Sequence, residues 1–143
     1  MAINPPVSKT IINSATWGIP ITNEVNRLTT AQQAGVPTAW TNLTLQNGWV
    51  NVGGAQPLAM YRKVADMVYL RGRIASGTLN TAMFTMPVGF RPLALHTFQV
   101  PSIVGGTWGF GVVEFAQDGS AAAYAPATNG AIVLNQCFYS TVS

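Results

Sequence analysis

His96, in ALHTFQV, and Cys137, in LNQCFYS, are the only histidine and the only cysteine in a chain of 143 residues. One of each cannot close a tetrahedral zinc site, which needs several nitrogen or sulfur ligands. An activated nucleophile needs a base beside it. His96 alternates with Leu95 and Thr97 in a strand-like run and reads as a partly buried structural histidine, although a Ser-His-Asp triad around it stays open on residue types alone. A glycosidase needs two carboxylates across a cleft, and the chain offers Glu24, Asp66, Glu114 and Asp118. Glu24 falls in a helix-like segment, Asp66 and Asp118 fall in turns, where aspartate is common, and Glu114 stands alone on its strand. GGTWGFG, residues 105–111, is glycine-rich but precedes a strand instead of a helix, so it does not match a phosphate-cradling loop. We expect no catalytic residues, no metal and no cofactor.

Binding chemistry is sparse as well. Trp17, Trp40 and Trp49 read either as sugar-stacking platforms or as buried core. On a strand, Trp108, Phe110 and Val112 share one face, and Thr107, Gly109 and Gly111 share the other. The first set reads as core; the second is flat enough for another backbone or sheet to approach it. Arg62, Lys63, Arg71 and Arg73 form at most a small basic patch, with no run of five like charges, so nucleic acid is not an expected partner. The NLT at Asn42 fits a glycosylation acceptor but reads as chance in a chain without an export signal. No ligand-binding residue can be assigned.

The composition says more. Seven Lys/Arg and four Asp/Glu make up only 8% of the chain, against roughly 25% in an ordinary soluble domain. A compact monomer of 15.1 kDa exposes on the order of 7,000 Å². So few charges leave that surface to Thr, Asn, Gln, Ala and apolar side chains, which suits a chain that covers itself with copies of itself. Hydrophobic residues at 48% and a mean hydropathy of +0.27 argue against disorder. No apolar run approaches the ~20 residues of a membrane helix, so no membrane insertion is expected. The opening MAINPPVSKT lacks the apolar core of an export signal, and one cysteine cannot form an intrachain disulfide. These features suggest a soluble product of a cytoplasm.

Three zones position these residues. Residues 1–19 carry no sustained period and read as an extended arm. Residues 20–35 read as a short helix: Thr22 or Asn23 caps it, Glu24 sits in its first turn, and Gly35 and Pro37 stop it. Ile21, Val25, Leu28 and Gln32 are spaced as an a/d seam, which serves equally an amphipathic helix lying on its own domain and a bundle with symmetry mates. Residues 38–143 are strand-rich. Asn47-Gly48 separates TNLTL from WVNV, and MYRKVADMVYLRGRI gives two strands joined near Ala65-Asp66. AMFTMP, LHTFQVP, TWGFGVVEF, SAAAYA and AIVLNQCFYS follow, with Asp118-Gly119 as a hairpin turn. The spacing predicts an antiparallel, jelly-roll-like β-sandwich of about eight strands. Val68, Leu70 and Ile74 should enter its core, Gly72 should leave room for a neighbour, and Arg71 and Arg73 should project outward. Pro87 and Pro92 should end ladder pairing.

Across residues 40–120 an ordered set of motifs, WTNLTLQNGWV, MYRKVADMVYLRGRI, FTMPVGFRP and EFAQDGS, resembles the C-terminal β domain of phage tail-fibre, minor tail and head-fibre proteins. The resemblance implies a homotrimeric structural and attachment protein of the virion, made in the host cytoplasm. Its N-terminal arm would hold other virion proteins, and its β head would face the medium and a host glycan or protein. Self-association would then use Ile21, Val25 and Leu28, Arg71 and Arg73, and the flat Thr107, Gly109 and Gly111. No shaft, collagen-like repeat or coiled coil is evident in the chain, so a small fibre or capsid decoration is expected as readily as a tail-tip adhesin. The competing expectation is a non-catalytic carbohydrate-binding β-sandwich module, marked by exposed aromatics in line on one face.

Overall fold

A computed structural model describes residues 35–124 and 130–142. A boundary at Val36 and Pro37 divides the chain into two units, and Pro37–Ser143 carries the strands. The predicted arm, and the predicted helix with Ile21, Val25, Leu28 and Gln32, lie outside the described residues.

Eleven strands occur among those residues, and no helix. They are β1 (Thr41–Asn42), β2 (Val50–Asn51), β3 (Met60–Val64), β4 (Met67–Arg71), β5 (Arg73–Ala75), β6 (Ala82–Thr85), β7 (His96–Val104), β8 (Thr107–Phe115), β9 (Ser120–Tyr124), β10 (Ala131–Val133) and β11 (Phe138–Ser140). All pairings are antiparallel, in a four-stranded sheet of order β1-β3-β4-β11 and a seven-stranded sheet of order β2-β5-β10-β7-β8-β9-β6. The sandwich expected from the sequence is present, with shorter and more numerous strands than the spacing suggested.

The turns explain the local pairing. Ala65 at φ 50° lets β3 fold straight back on β4, with Val64 opposite Met67. Gly105 and Gly106 join the nine-residue strands β7 and β8, which pair from Val104↔Thr107 to His96↔Phe115. Asp118-Gly119 joins β8 to β9, as the sequence predicts; Asp118 Oδ1 accepts from both the N–H and the hydroxyl of Ser120, at 2.8 and 2.7 Å. Asn47-Gly48 is also a turn, closed by Trp49 N–H donating to Gln46 O at 3.0 Å. The strands on either side of it do not pair, because β1 belongs to the small sheet and β2 to the large one.

The core lies between the sheets. Val68, Leu70 and Ile74 are buried as expected, and with them Phe84, Met86, Val100, Val113, Phe115, Ile132, Leu134 and Tyr139. A bulge at β6 shifts the register between Ala82 and Phe84, so that Met83 and Phe84 both turn inward.

Two readings of continuity are corrected here. RGRI does not continue MVYLR as one strand, and AIVLNQCFYS is not a single strand. Gly72 carries the chain from β4 in the small sheet to β5 in the large one, and Leu134 to Cys137 carry it from β10 to β11 in the reverse sense. The two crossings bond to each other: Asn135 Oδ1 accepts from Gly72 N–H at 2.8 Å, and Gly72 O accepts from Leu134 N–H at 2.9 Å. Gly72 sits at φ +114°, and a Cβ there would lie 2.4 Å from Leu58 O. Only glycine tolerates both the dihedral and the approach. A two-residue periodicity gives no sign of this pivot, because the buried faces stay in phase across it.

Candidate functional site

The corner at Gly72 decides where the arginines go. In the sequence Arg71 and Arg73 share one open face; in the structure they leave opposite sides of the sandwich, Arg71 on the outer face of the small sheet and Arg73 on that of the large one. Each is half-buried and each rests on a tryptophan.

On the small sheet the guanidinium groups of Arg62 and Arg71 lie 4.6 and 4.3 Å from the centroid of the Trp40 ring. Arg71 also donates to Met60 Sδ at 3.0 Å. Beside them Tyr69 and Phe138 stack at 6.2 Å, and Phe138 is 52% exposed. Cation–π contacts of this kind are worth about 0.5–2 kcal/mol, depending on desolvation. Trp40 is therefore covered by cations rather than open as a sugar platform, and Trp49 is buried at 3% exposure. Trp17 lies outside the described residues.

The large sheet gives the clearest departure from the sequence reading. Trp108 and Phe110 were expected in the core, yet they are 65% and 61% exposed. Gly111, Val113 and Phe115 form the inward face of β8 instead. The physical reason is the length of the β7–β8 hairpin: from Thr107 to Phe110 both faces of β8 are open, so the hairpin end extends past the core. Gly109 and Gly111 look toward Ser102 on β7, where added Cβ atoms would meet it at 3.6 and 3.7 Å. Gly111 is buried, while Thr107 and Gly109 are exposed. The aromatic rings are thus displayed, and of the small residues on the opposite face only Gly111 is buried.

The pairing aligns these rings with other apolar outward residues. Ile103 is opposite Trp108 and Ala131, Pro101 is opposite Phe110, Val133 is opposite Arg73, and Val112 is opposite Tyr124. Arg73 reaches across this face to within 5.7 Å of the Trp108 ring, and its Nε is buried without a hydrogen-bond partner among the described residues. The result is a broad apolar face carrying one arginine, with Glu114 further along β8. Such a face suits contact with another protein surface or stacking against sugar rings.

His96 stacks on Tyr139 and Phe98 at 5.8 and 6.3 Å, which is the structural environment expected of it. Cys137 is buried, and burial pushes its thiol up to about 12. Burial and the neighbouring Cys137 likewise raise the Tyr139 phenol, whose hydroxyl donates to Phe90 O at 2.7 Å. Among the described residues no three His, Cys, Asp or Glu side chains cluster.

No protein-family profile matches the chain, and no curated protein matches it in sequence. Solved structures do match. The receptor-binding protein gp15 of Listeria phage PSA superposes with a TM-score of 0.66 at 12% identity, over 100% of this chain and 90% of that one. The head domain of the lactococcal phage bIL170 superposes with a TM-score of 0.53 at 17% identity, over 73% of this chain and 98% of that one. In fold, the chain is similar to the β domains of phage virion appendages.

Proposed function

We propose that the chain is a non-catalytic attachment protein of a phage virion, acting as a homotrimer whose β domain meets the host surface and whose N-terminal arm holds the particle. The observation that carries this reading is the superposition on a phage receptor-binding protein along the whole chain. The exposed apolar face of the large sheet and the charge content of 8% support self-association, since closed symmetry covers such faces without leaving a self-propagating surface. Position on the tail or on the capsid is a separate matter, and the arm is the segment that would decide it.

The test is direct. Fluorescently labelled full-length protein should decorate intact cells of the phage's host and compete with phage adsorption. Failure to label any strain that the phage infects would overturn the attachment role.

A carbohydrate-binding module is the second reading. The specific observation in its favour is Trp108 and Phe110, two exposed rings two residues apart on one face. A glycan array separates the readings: binding to diverse, non-bacterial sugars by a stable monomer favours the module.

A further inference from the structure

Among the described residues there are five Lys and Arg side chains: Arg62, Lys63, Arg71, Arg73 and Arg91. Three of them lie over tryptophan rings. The remaining two, Lys63 and Arg91, line one cavity of ≈ 350 Å³ at the end of the sandwich. These two cations do not lie over aromatic rings of the described residues, and both face the same small space, where they could meet one anion together.

The cavity is built, not incidental. The turn PVGFRP closes with Phe90 N–H donating to Pro87 O at 3.0 Å. Arg91 Nε donates to Met86 O at 3.0 Å. Gly119 leaves the space this needs: a Cβ there would lie 2.6 Å from Met86 O and 2.9 Å from Arg91 Nε. From the facing strand Lys63 Nζ donates to Gly89 O at 3.2 Å. Both cations are therefore positioned by backbone carbonyls, which leaves further N–H donors on each head group. Asp118 is engaged by Ser120 and lies close enough to Arg91 to feel its charge. Val88, Leu93 and Val142 supply apolar walls and are exposed at 81%, 50% and 48%. Gln117, which donates to Leu93 O, and Thr141 complete the rim.

We propose that this cavity binds an oxyanion, phosphate or carboxylate, carried on a unit the size of a single sugar or polyol. Lys63 and Arg91 bind the anion, and the apolar walls cover the carbon skeleton. Arg91 suits this role because a planar guanidinium grips oxyanions with two parallel bonds. The volume lies at the lower end of the range for small-molecule sites, roughly 300–1,000 Å³, which matches the size of one such unit. The inference deepens the attachment reading and rests on it for the source of the ligand, a host-surface polymer.

The experiment titrates ¹⁵N-labelled full-length protein with sodium phosphate, glycerol phosphate, glucuronate and, as a neutral control, glucose. Saturable shifts should centre on Gly89, Arg91, Gln117 and Thr141, with glucose inert. Lys63→Gln and Arg91→Lys should each weaken binding roughly tenfold. Arg62→Gln should leave it unchanged, because Arg62 lies over Trp40 and outside the cavity. Lys63→Gln keeps a donor for Gly89 O, so the test survives even if changes at Arg91 disturb the loop. A stronger response to glycerol phosphate than to glucuronate identifies the anion as phosphate; the reverse identifies carboxylate. Linear, non-saturating shifts, or equal loss with Arg62→Gln, overturn the proposal. Cell labelling that persists without anion binding sinks the cavity and spares the attachment role, whereas anion binding without cell labelling does the opposite.

Discussion

Single side chains in this protein do two kinds of work, packing and display, and their chemistry follows from which one they do. Leu70 is 3% exposed in the core between the sheets, so Leu70→Ala should cost about 2–5 kcal/mol in urea denaturation. Cys137 makes a sharper case. An unfolded thiol ionises near 9.0, but burial holds this one protonated to about 12. Between those values the folded state keeps a proton that the unfolded chain has lost, so stability falls as pH rises through the window. The raised phenol of Tyr139 acts in the same direction above its ordinary value of 10.0. Cys137→Ala should flatten the alkaline fall of the denaturation midpoint, and the native thiol should resist iodoacetamide until the protein unfolds. Rapid alkylation of folded protein would contradict the burial.

At the level of elements, the sequence was readable where a pattern is local and opaque where it depends on a partner strand. Val68, Leu70 and Ile74 alternate with outward residues, and Asp118-Gly119 is a turn on its face; both readings hold. The exposed Trp108 and Phe110 were misread because size suggests burial, while the overhang of their hairpin depends on where the opposing sheet ends. At Gly72 the expected room for a neighbour is filled by the backbone of Leu58 and Ala59. The crossing between sheets is not legible there, because it depends on which strands flank β4 and β5 and not on the periodicity of the segment itself. Gly72→Ala should destabilise the domain more than Leu70→Ala does, because the added methyl meets backbone atoms that cannot move aside, at a φ that alanine disfavours. Thermal unfolding of the two variants side by side decides this. The β8–β9 turn offers a pH test. Hydrogen bonds from Ser120, and to a smaller degree Arg91, lower the Asp118 carboxyl, so its contribution is present above the unfolded value of 3.8 and lost as pH falls through the lower folded one. Asp118→Asn should remove that acid dependence from amide exchange of Ser120 while leaving the core protected.

For the whole molecule, the face bearing Trp108 and Phe110 is the testable feature. If three copies hide it, each should bury well over the ~800 Å² per partner of a standard interface. Multi-angle light scattering should give a mass near three times 15.1 kDa. Trp108→Glu should shift the protein toward monomer while circular dichroism stays unchanged, because the ring lies outside the core. A trimer unaffected by this change would free the face for receptor contact. Nothing in the strand pattern itself distinguishes these roles; residue types on a sheet indicate that a face is sticky, not what it meets.

The coupled crossings at Gly72 and Asn135 also set the order in which the protein can form. β10 lies between β5 and β7, and β11 borders β4, so residues 131–140 complete both sheets. Met67 pairs with Ser140, a contact between distant parts of the chain whose loop-closure entropy must be overcome before it returns stability. The β7–β8 and β3–β4 hairpins can form early from near neighbours. The large sheet stays split into two halves until β10 arrives. Refolding should therefore take milliseconds to seconds, as for other β proteins rich in non-local pairings. During synthesis the domain stays open until β10 and β11 emerge, so these strands govern when the fold closes.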